Sequence, residues 1–253
     1  MNPLRIALST ELRKAVASNV FRTVTVLLIL GITVLAGSLI FAARTGSEEV
    51  LAKLGPLADE TGWPLLTNIV MQVTSAGGLV VFGIALSWIF GREFVDGTIT
   101  SLFALPIRRR TIASAKLTIY LGWSILTAGG LTFTVGLLGL ALGYGPPDGA
   151  AVRLLGQLFV LTVFTALLAI PAAWATTLGR GLLPGIATTI GIVVIAQVGV
   201  VAGVGGWMPL AAPAIWAMQL EPVTTVQLLL SLVIPALCWL ATARAWSRLQ
   251  LDR

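Results

Sequence analysis

Long uncharged, apolar stretches separated by short charged segments make up most of this chain. About 20 helical residues cross the roughly 30 Å of a bilayer's hydrocarbon. Measured against that length, the pattern predicts six membrane-spanning helices, over about residues 20–43, 65–90, 117–143, 154–178, 182–204 and 225–245. The first uncharged run, Thr23 to Ala43, is 21 residues long and lacks a small-residue cleavage site, so it is expected to stay as a span rather than be removed as a leader. Residues 1–253 are expected to form a single transmembrane domain.

The connecting segments have patterns of their own. In residues 1–19, Leu4, Leu8, Leu12 and Val16, continued by Val20, recur at every fourth position, with Arg5, Arg13 and Lys14 off that line. This predicts an amphipathic helix in the headgroup layer, apolar face in the acyl chains and basic residues toward anionic lipid. The alternative is a basic leader that only fixes orientation. Between Arg180 and Glu221 lie 40 uncharged residues, more than one span needs. Gly205, Gly206, Pro209 and Pro213 break that run. The stretch beyond residue 204 is therefore either a set of short re-entrant helices packed on protein or a loop anchored at the interface by Trp207 and Trp216.

Composition fixes the solvent. Hydrophobic residues make up 57% and charged residues 10% of the 253, where a soluble domain has roughly 25% charged residues. So few charges cannot cover a water-facing surface of this size, and the expected class is an all-α integral membrane bundle. A net charge of +6 is compatible with nucleic-acid binding, but its placement argues against that and no soluble segment offers a basic face. Thirteen of the sixteen Lys and Arg residues fall in the N-terminal segment, the segment between spans two and three, the turn between spans four and five, and the C-terminus. Arg44, Lys53 and Arg153 are the other three. Basic side chains resist translocation, so both termini are expected to be cytoplasmic, in the plasma membrane of a bacterial cell.

Several chemistries are excluded. The chain has no histidine, which removes His-dependent nucleophiles and HExxH zinc sites, and its one cysteine, Cys238, lies in an apolar run as a small hydrophobe. No G-x-x-x-x-G-K-[ST] loop occurs, so any ATP and Mg would have to be held by another chain, and no cofactor is expected on this one. Apart from Arg22 and Arg244, which lie within two residues of a span limit, the expected spans hold no Asp, Glu, Lys or Arg, which weighs against an ion-coupled carrier or channel, the alternative reading. An intramembrane enzyme would lack an obvious general base. The uncharged polar residues Asn68, Gln72, Thr74, Ser75, Gln157 and Gln197 are read as interhelical hydrogen-bonding groups in preference to substrate contacts. Gly139 with Gly143, and Gly199 with Gly203, form GxxxG pairs that could serve folding or dimerisation, and Pro171, Pro184 and Pro235 are expected to kink their helices.

The most informative segment runs from Gly91 to Lys116, between spans two and three. Asp96, Gly97 and Thr98 supply helix-starting residues; Ile99, Leu102, Phe103 and Leu105 follow at near-helical spacing; Pro106 ends the run before Arg108, Arg109 and Arg110. This predicts a short helix over Asp96–Leu105 lying across the cytoplasmic end, either covering the bundle's base or docking in a groove on a soluble partner. The order Glu93, Gly97-Thr98, Leu102, Pro106, Arg109 and Lys116 resembles the signature of the permease subunits of type-2 ABC exporters, approximately E-x-x-x-G-T, L-x-x-x-P, then R and K. Glu11-Leu12-Arg13-Lys14 resembles the opening of the same family, as does the six-span architecture. Asp96 follows Glu93 closely, leaving two acids for the family's glutamate.

The resemblance implies a coupling helix that docks on an ATP-binding subunit, with Glu93, Asp96, Gly97, Thr98, Leu102, Phe103, Pro106, Arg109 and Lys116 as the partner-binding residues. The N-terminal helix would be the connecting helix beside it. The working unit would be two permease chains, as a homodimer, with two ATPases. It would export a lipophilic or amphipathic substrate across the membrane.

Overall fold

The computed structural model describes residues 3–46, 48–103 and 107–250. Among them there is no strand, and six helices are long and apolar enough to cross a bilayer: Asn19–Arg44, Gly62–Val95, Arg109–Ala141, Gly149–Gly179, Leu182–Val201 and Thr225–Arg248. The chain is an all-α integral membrane bundle. The largest departure from the expected limits is in span three, whose 33 residues start at Arg109. Its first two turns contain charge, and the sequence pattern places them in a loop. Lys116 does not end the helix, because its ammonium is taken up by protein and not exposed to lipid.

Local chemistry explains where the helices start and stop. An amphipathic helix covers Pro3–Ala17, and the chain then breaks at Ser18, whose hydroxyl accepts from the backbone N–H of Phe21 and so caps span one. Asp148 caps span four by accepting from the Ala151 N–H at 2.8 Å. Thr224 and Gln227 form a reciprocal capping box at the start of span six. At the lower end of span two the chain reverses through Gly97, at φ +66°, a conformation that costs side-chain-bearing residues about 1–2 kcal/mol.

The spans are not uniform rods. A π turn, with one extra residue in the turn, occurs at Leu27–Gly31 in span one and another at Thr74–Gly78 in span two. Span four is interrupted at Ala169–Ile170, ahead of Pro171, and span six at Leu232, ahead of Pro235. Pro184 instead sits in the first turn of span five, where its missing N–H leaves no bond unmade. After span five, Gly205–Trp207 and Ala212–Ala217 form short helical turns that fold back against span four and the start of span six, with Pro213, Ile215 and Ala217 buried. Of the two readings of this segment, the protein-packed one holds.

Glycines set the closest helix contacts. A Cβ at Gly91 of span two would lie 3.1 Å from the Leu182 backbone nitrogen, and one at Gly185 of span five 2.9 Å from the Ala172 carbonyl oxygen. Spans two, four and five are therefore locked backbone to backbone. The two GxxxG pairs also act within the chain: a Cβ at Gly139 would collide with the Trp63 ring, and one at Gly199 with the Met208 sulfur. Their partners Gly143 and Gly203 turn the chain at positive φ. At the core, the fully buried Tyr120 hydroxyl donates to the Ala166 carbonyl (2.8 Å), and the Trp246 indole N–H donates to Thr177 Oγ1 (3.1 Å).

Both termini lie at the same end of the bundle. Glu11 reaches Lys116 in span three, Arg109 donates to the Leu249 carbonyl, and Arg180 donates to that of Gln250 at 2.9 Å. At the opposite end Arg44 lies over the Tyr144 ring, 5.2 Å from its centroid.

Candidate functional site

The amphipathic helix has two working faces. Leu4, Leu12 and Val16 point away from the protein, as the apolar line requires. Ala7, Glu11, Lys14 and Ser18, spaced to fall on one side of a helix, turn toward spans two and three. Lys14, expected to face anionic lipid, instead reaches into the bundle, where Glu93 sits 2.9 Å away; Arg5 and Arg13 remain exposed.

Four charges meet there. The Lys116 ammonium, 1% exposed, donates to Glu11 Oε2 and Glu93 Oε1, both at 2.9 Å, and to the Ile89 carbonyl at 3.2 Å. All three of its protons are thereby used. Lys14 donates to the same Glu93 oxygen at 2.9 Å and to Glu11 Oε1 at 3.4 Å. The other Glu93 oxygen accepts the Thr98 hydroxyl proton at 2.6 Å. Two carboxylates and two ammoniums leave the cluster neutral, which is the condition for holding charge so far from water. Burial by itself would lower the Lys14 pKa, but the charge of Glu11 and the hydrogen bond and charge of Glu93 outweigh it and hold it above 10.5.

The cluster joins three elements: the amphipathic helix through Glu11 and Lys14, the base of span two and the turn beyond it through Glu93 and Thr98, and span three through Lys116. From Thr98 the chain enters the short helix Ile99–Phe103. Ile99 and Leu102 pack inward, at 6% and 8% exposure, while Val95, Asp96, Gly97, Thr98, Thr100 and Ser101 face outward. Arg92 holds Asp96 at 3.9 Å and lies over the Trp88 ring, 5.5 Å from its centroid.

The structure thus divides the nine residues the sequence singled out. It brings Glu93, Thr98 and Lys116 together and leaves Asp96 at the surface. Asp96 and Gly97 form the exposed turn. Leu102 belongs to the core of its own chain, because a five-residue helix must bury an apolar side chain to stay on the bundle. Arg109 is half-buried against the C-terminal segment. The Phe103 side chain and Pro106 lie outside the described residues, as do Leu105 and the end of the expected Asp96–Leu105 helix. Glu11 and Lys14 were not singled out as site residues. Their spacing, with an acid and a base three positions apart on a helix laid against greasy spans, was the available signal.

A family model described as ABC-2 family transporter protein matches residues 7–197, from the inner face of the amphipathic helix through most of span five. No curated protein and no solved structure matches the chain.

Proposed function

This chain belongs to the ABC-2 family of transporter proteins, and on that premise we propose that it is the permease of an exporter driven by ATP hydrolysis on a separate ABC ATPase subunit. The observation that carries the proposal is the buried bridge from Glu11 through Lys116 to Glu93, with Thr98 attached to the last. A partner pushing on the exposed turn from Val95 to Ser101 would push on a unit fused to the amphipathic helix and span three. Movement of that unit would tilt spans two and three together, as mechanical coupling of hydrolysis to alternating access requires. Leu102 serves by seating the short helix, and the outward residues Asp96, Thr100 and Ser101 form the docking face. In this reading the termini are cytoplasmic, the membrane is the plasma membrane of a bacterium, two permeases pair with two ATPases, and the cargo is lipophilic or amphipathic.

The test uses the tagged chain extracted in mild detergent. An ABC ATPase should co-purify with it, and the pair Thr100→Asp with Ser101→Asp should abolish both that association and ATP-dependent export. Because both side chains face outward, insertion and thermal stability should be unchanged. Normal export by this variant, or a wild-type complex without an ATPase, would overturn the proposal.

A further inference from the structure

Among the described residues, none of the six polar span residues links one span to another by a hydrogen bond, and the buried Thr74 hydroxyl has no partner. Asn68 donates to Glu60 at 2.8 Å, and Gln157 accepts from Gln219 at 3.2 Å. Ser75 donates to the Gln72 carbonyl (2.8 Å) and Thr165 to that of Leu161 (2.9 Å), bonds within their own helices. The carboxamides of Gln72 and Gln197, on side chains exposed at the bundle's surface, make no hydrogen bond among the described residues. Each carries two donors and an acceptor, and leaving such groups unmatched beside hydrocarbon is unfavourable.

Both amides line one cavity of about 210 Å³. It is framed by the π turn Thr74–Gly78 of span two, by span four up to Leu168 just before its interruption, by span five, and by the folded-back helix Ala212–Ala217. π turns of this kind recur at functional sites, because the extra residue redirects side chains that a regular helix would align elsewhere. Gln72 lies ten residues from Gly62 and Gln197 four from Val201, so the cavity reaches from about 6 to about 15 Å below the end of the bundle opposite the termini.

We propose that this cavity is a binding site within a single chain for a small, uncharged amphiphile, whose polar group pairs with the Gln72 and Gln197 amides. The proposal rests on the permease reading, which it deepens by naming the class of cargo. Charge is excluded because no lining residue is ionised, and an ion stripped of water there would have no counter-charge. The apolar part of the molecule would lie along Leu79, Val193 and Ile215. The volume exceeds the roughly 150 Å³ of an apolar cavity that takes up benzene, and so is enough for one small molecule.

The experiment uses the full chain in lipid nanodiscs, with aminoanthracene as an uncharged fluorescent probe bearing one amine and anilinonaphthalene sulfonate as its anionic counterpart. Aminoanthracene should show saturable binding at one site per chain, above the background of empty nanodiscs, and the anion should show none. Gln72→Leu and Gln197→Leu should each weaken binding roughly three- to tenfold, the effect of one hydrogen bond. Ala196→Phe should fill the cavity and abolish binding, with Ala76→Phe as a second filler should the first not fold. Absence of saturable binding, equal binding of the anion, or full binding by both fillers would overturn the proposal. So would glutamine variants that shift the chain's oligomeric state while binding normally, since the amides would then pair with a second copy. Binding by the isolated chain needs no ATPase. Its failure with ATPase association intact would count against the cavity alone, and the reverse result against the exporter reading alone.

Discussion

Replacing Lys116 by methionine keeps most of the side chain's volume and removes its charge from the buried cluster. Glu11 and Glu93, at 6% and 2% exposure, would be left facing each other with only the half-buried Lys14 between them. Removing one member of a buried ion pair typically costs about 3–5 kcal/mol, most of it from the charge left behind. Three contacts of 2.9, 2.9 and 3.2 Å are lost at once, which puts this substitution at the upper end of that range. Lys14→Met should cost far less, about 1 kcal/mol, because Lys14 is partly exposed and its contribution is screened. The combination Lys116→Met with Glu93→Gln removes one charge of each sign and leaves the Glu11–Lys14 pair, so it should be milder than the sum of its parts by about 2 kcal/mol or more. Denaturant unfolding of the purified chain in micelles, followed by tryptophan emission, measures all four. An unshifted Lys116→Met variant, or strict additivity in the double variant, would refute the idea that the cluster is a mutually dependent unit.

Two further outcomes follow from specific geometry. Gly139→Ala should lower stability by about 1–3 kcal/mol because the new methyl collides with Trp63, while the oligomeric state measured by light scattering stays the same; the opposite pattern would mean that this GxxxG joins two chains. The pKa of Lys14 is raised by folding, so its contribution is complete below 10.5 and fades as pH climbs through the higher folded value. A spin label at position 13, in a chain with Cys238→Ser and Arg13→Cys, should therefore gain mobility above pH 10.5 and not in the neutral range; loosening near neutrality would contradict the assigned partners.

Periodicity and charge placement made the fold legible to within a few residues at most ends, because twenty uncharged residues have few alternatives to a span. They failed at the start of span three for an informative reason. Charge ordinarily marks a loop, but Lys116 is helical because its counter-charges come from Glu11 and Glu93, which no local window around residue 116 contains. The same blindness hid the inner face of the first helix: the leucine line was evident, while the Ala7, Glu11, Lys14 and Ser18 face acquires meaning only once span three lies against it. The amphipathic pattern says that the face carrying Leu102 is buried without saying by what; the family resemblance points it at a partner, whereas the structure packs it on its own chain. The π turn at Thr74–Gly78 left no trace in the hydrophobic pattern, since one inserted residue shifts a face without interrupting it. The cavity beside it was therefore unreadable from the sequence.

The two ends of the Glu11–Lys116 bond are 105 positions apart, and those of the Glu93–Lys116 bond 23. During synthesis both acids emerge long before the amine that neutralises them. Two spans must already be in the bilayer before the third arrives carrying an ammonium that lipid will not solvate. A nascent chain stopped short of that point has two carboxylates at the membrane face and only the Lys14 ammonium to answer them. The late-coming lysine thus makes completion of the third crossing the step at which the inner end of the protein closes, and marks chains halted earlier as unfinished.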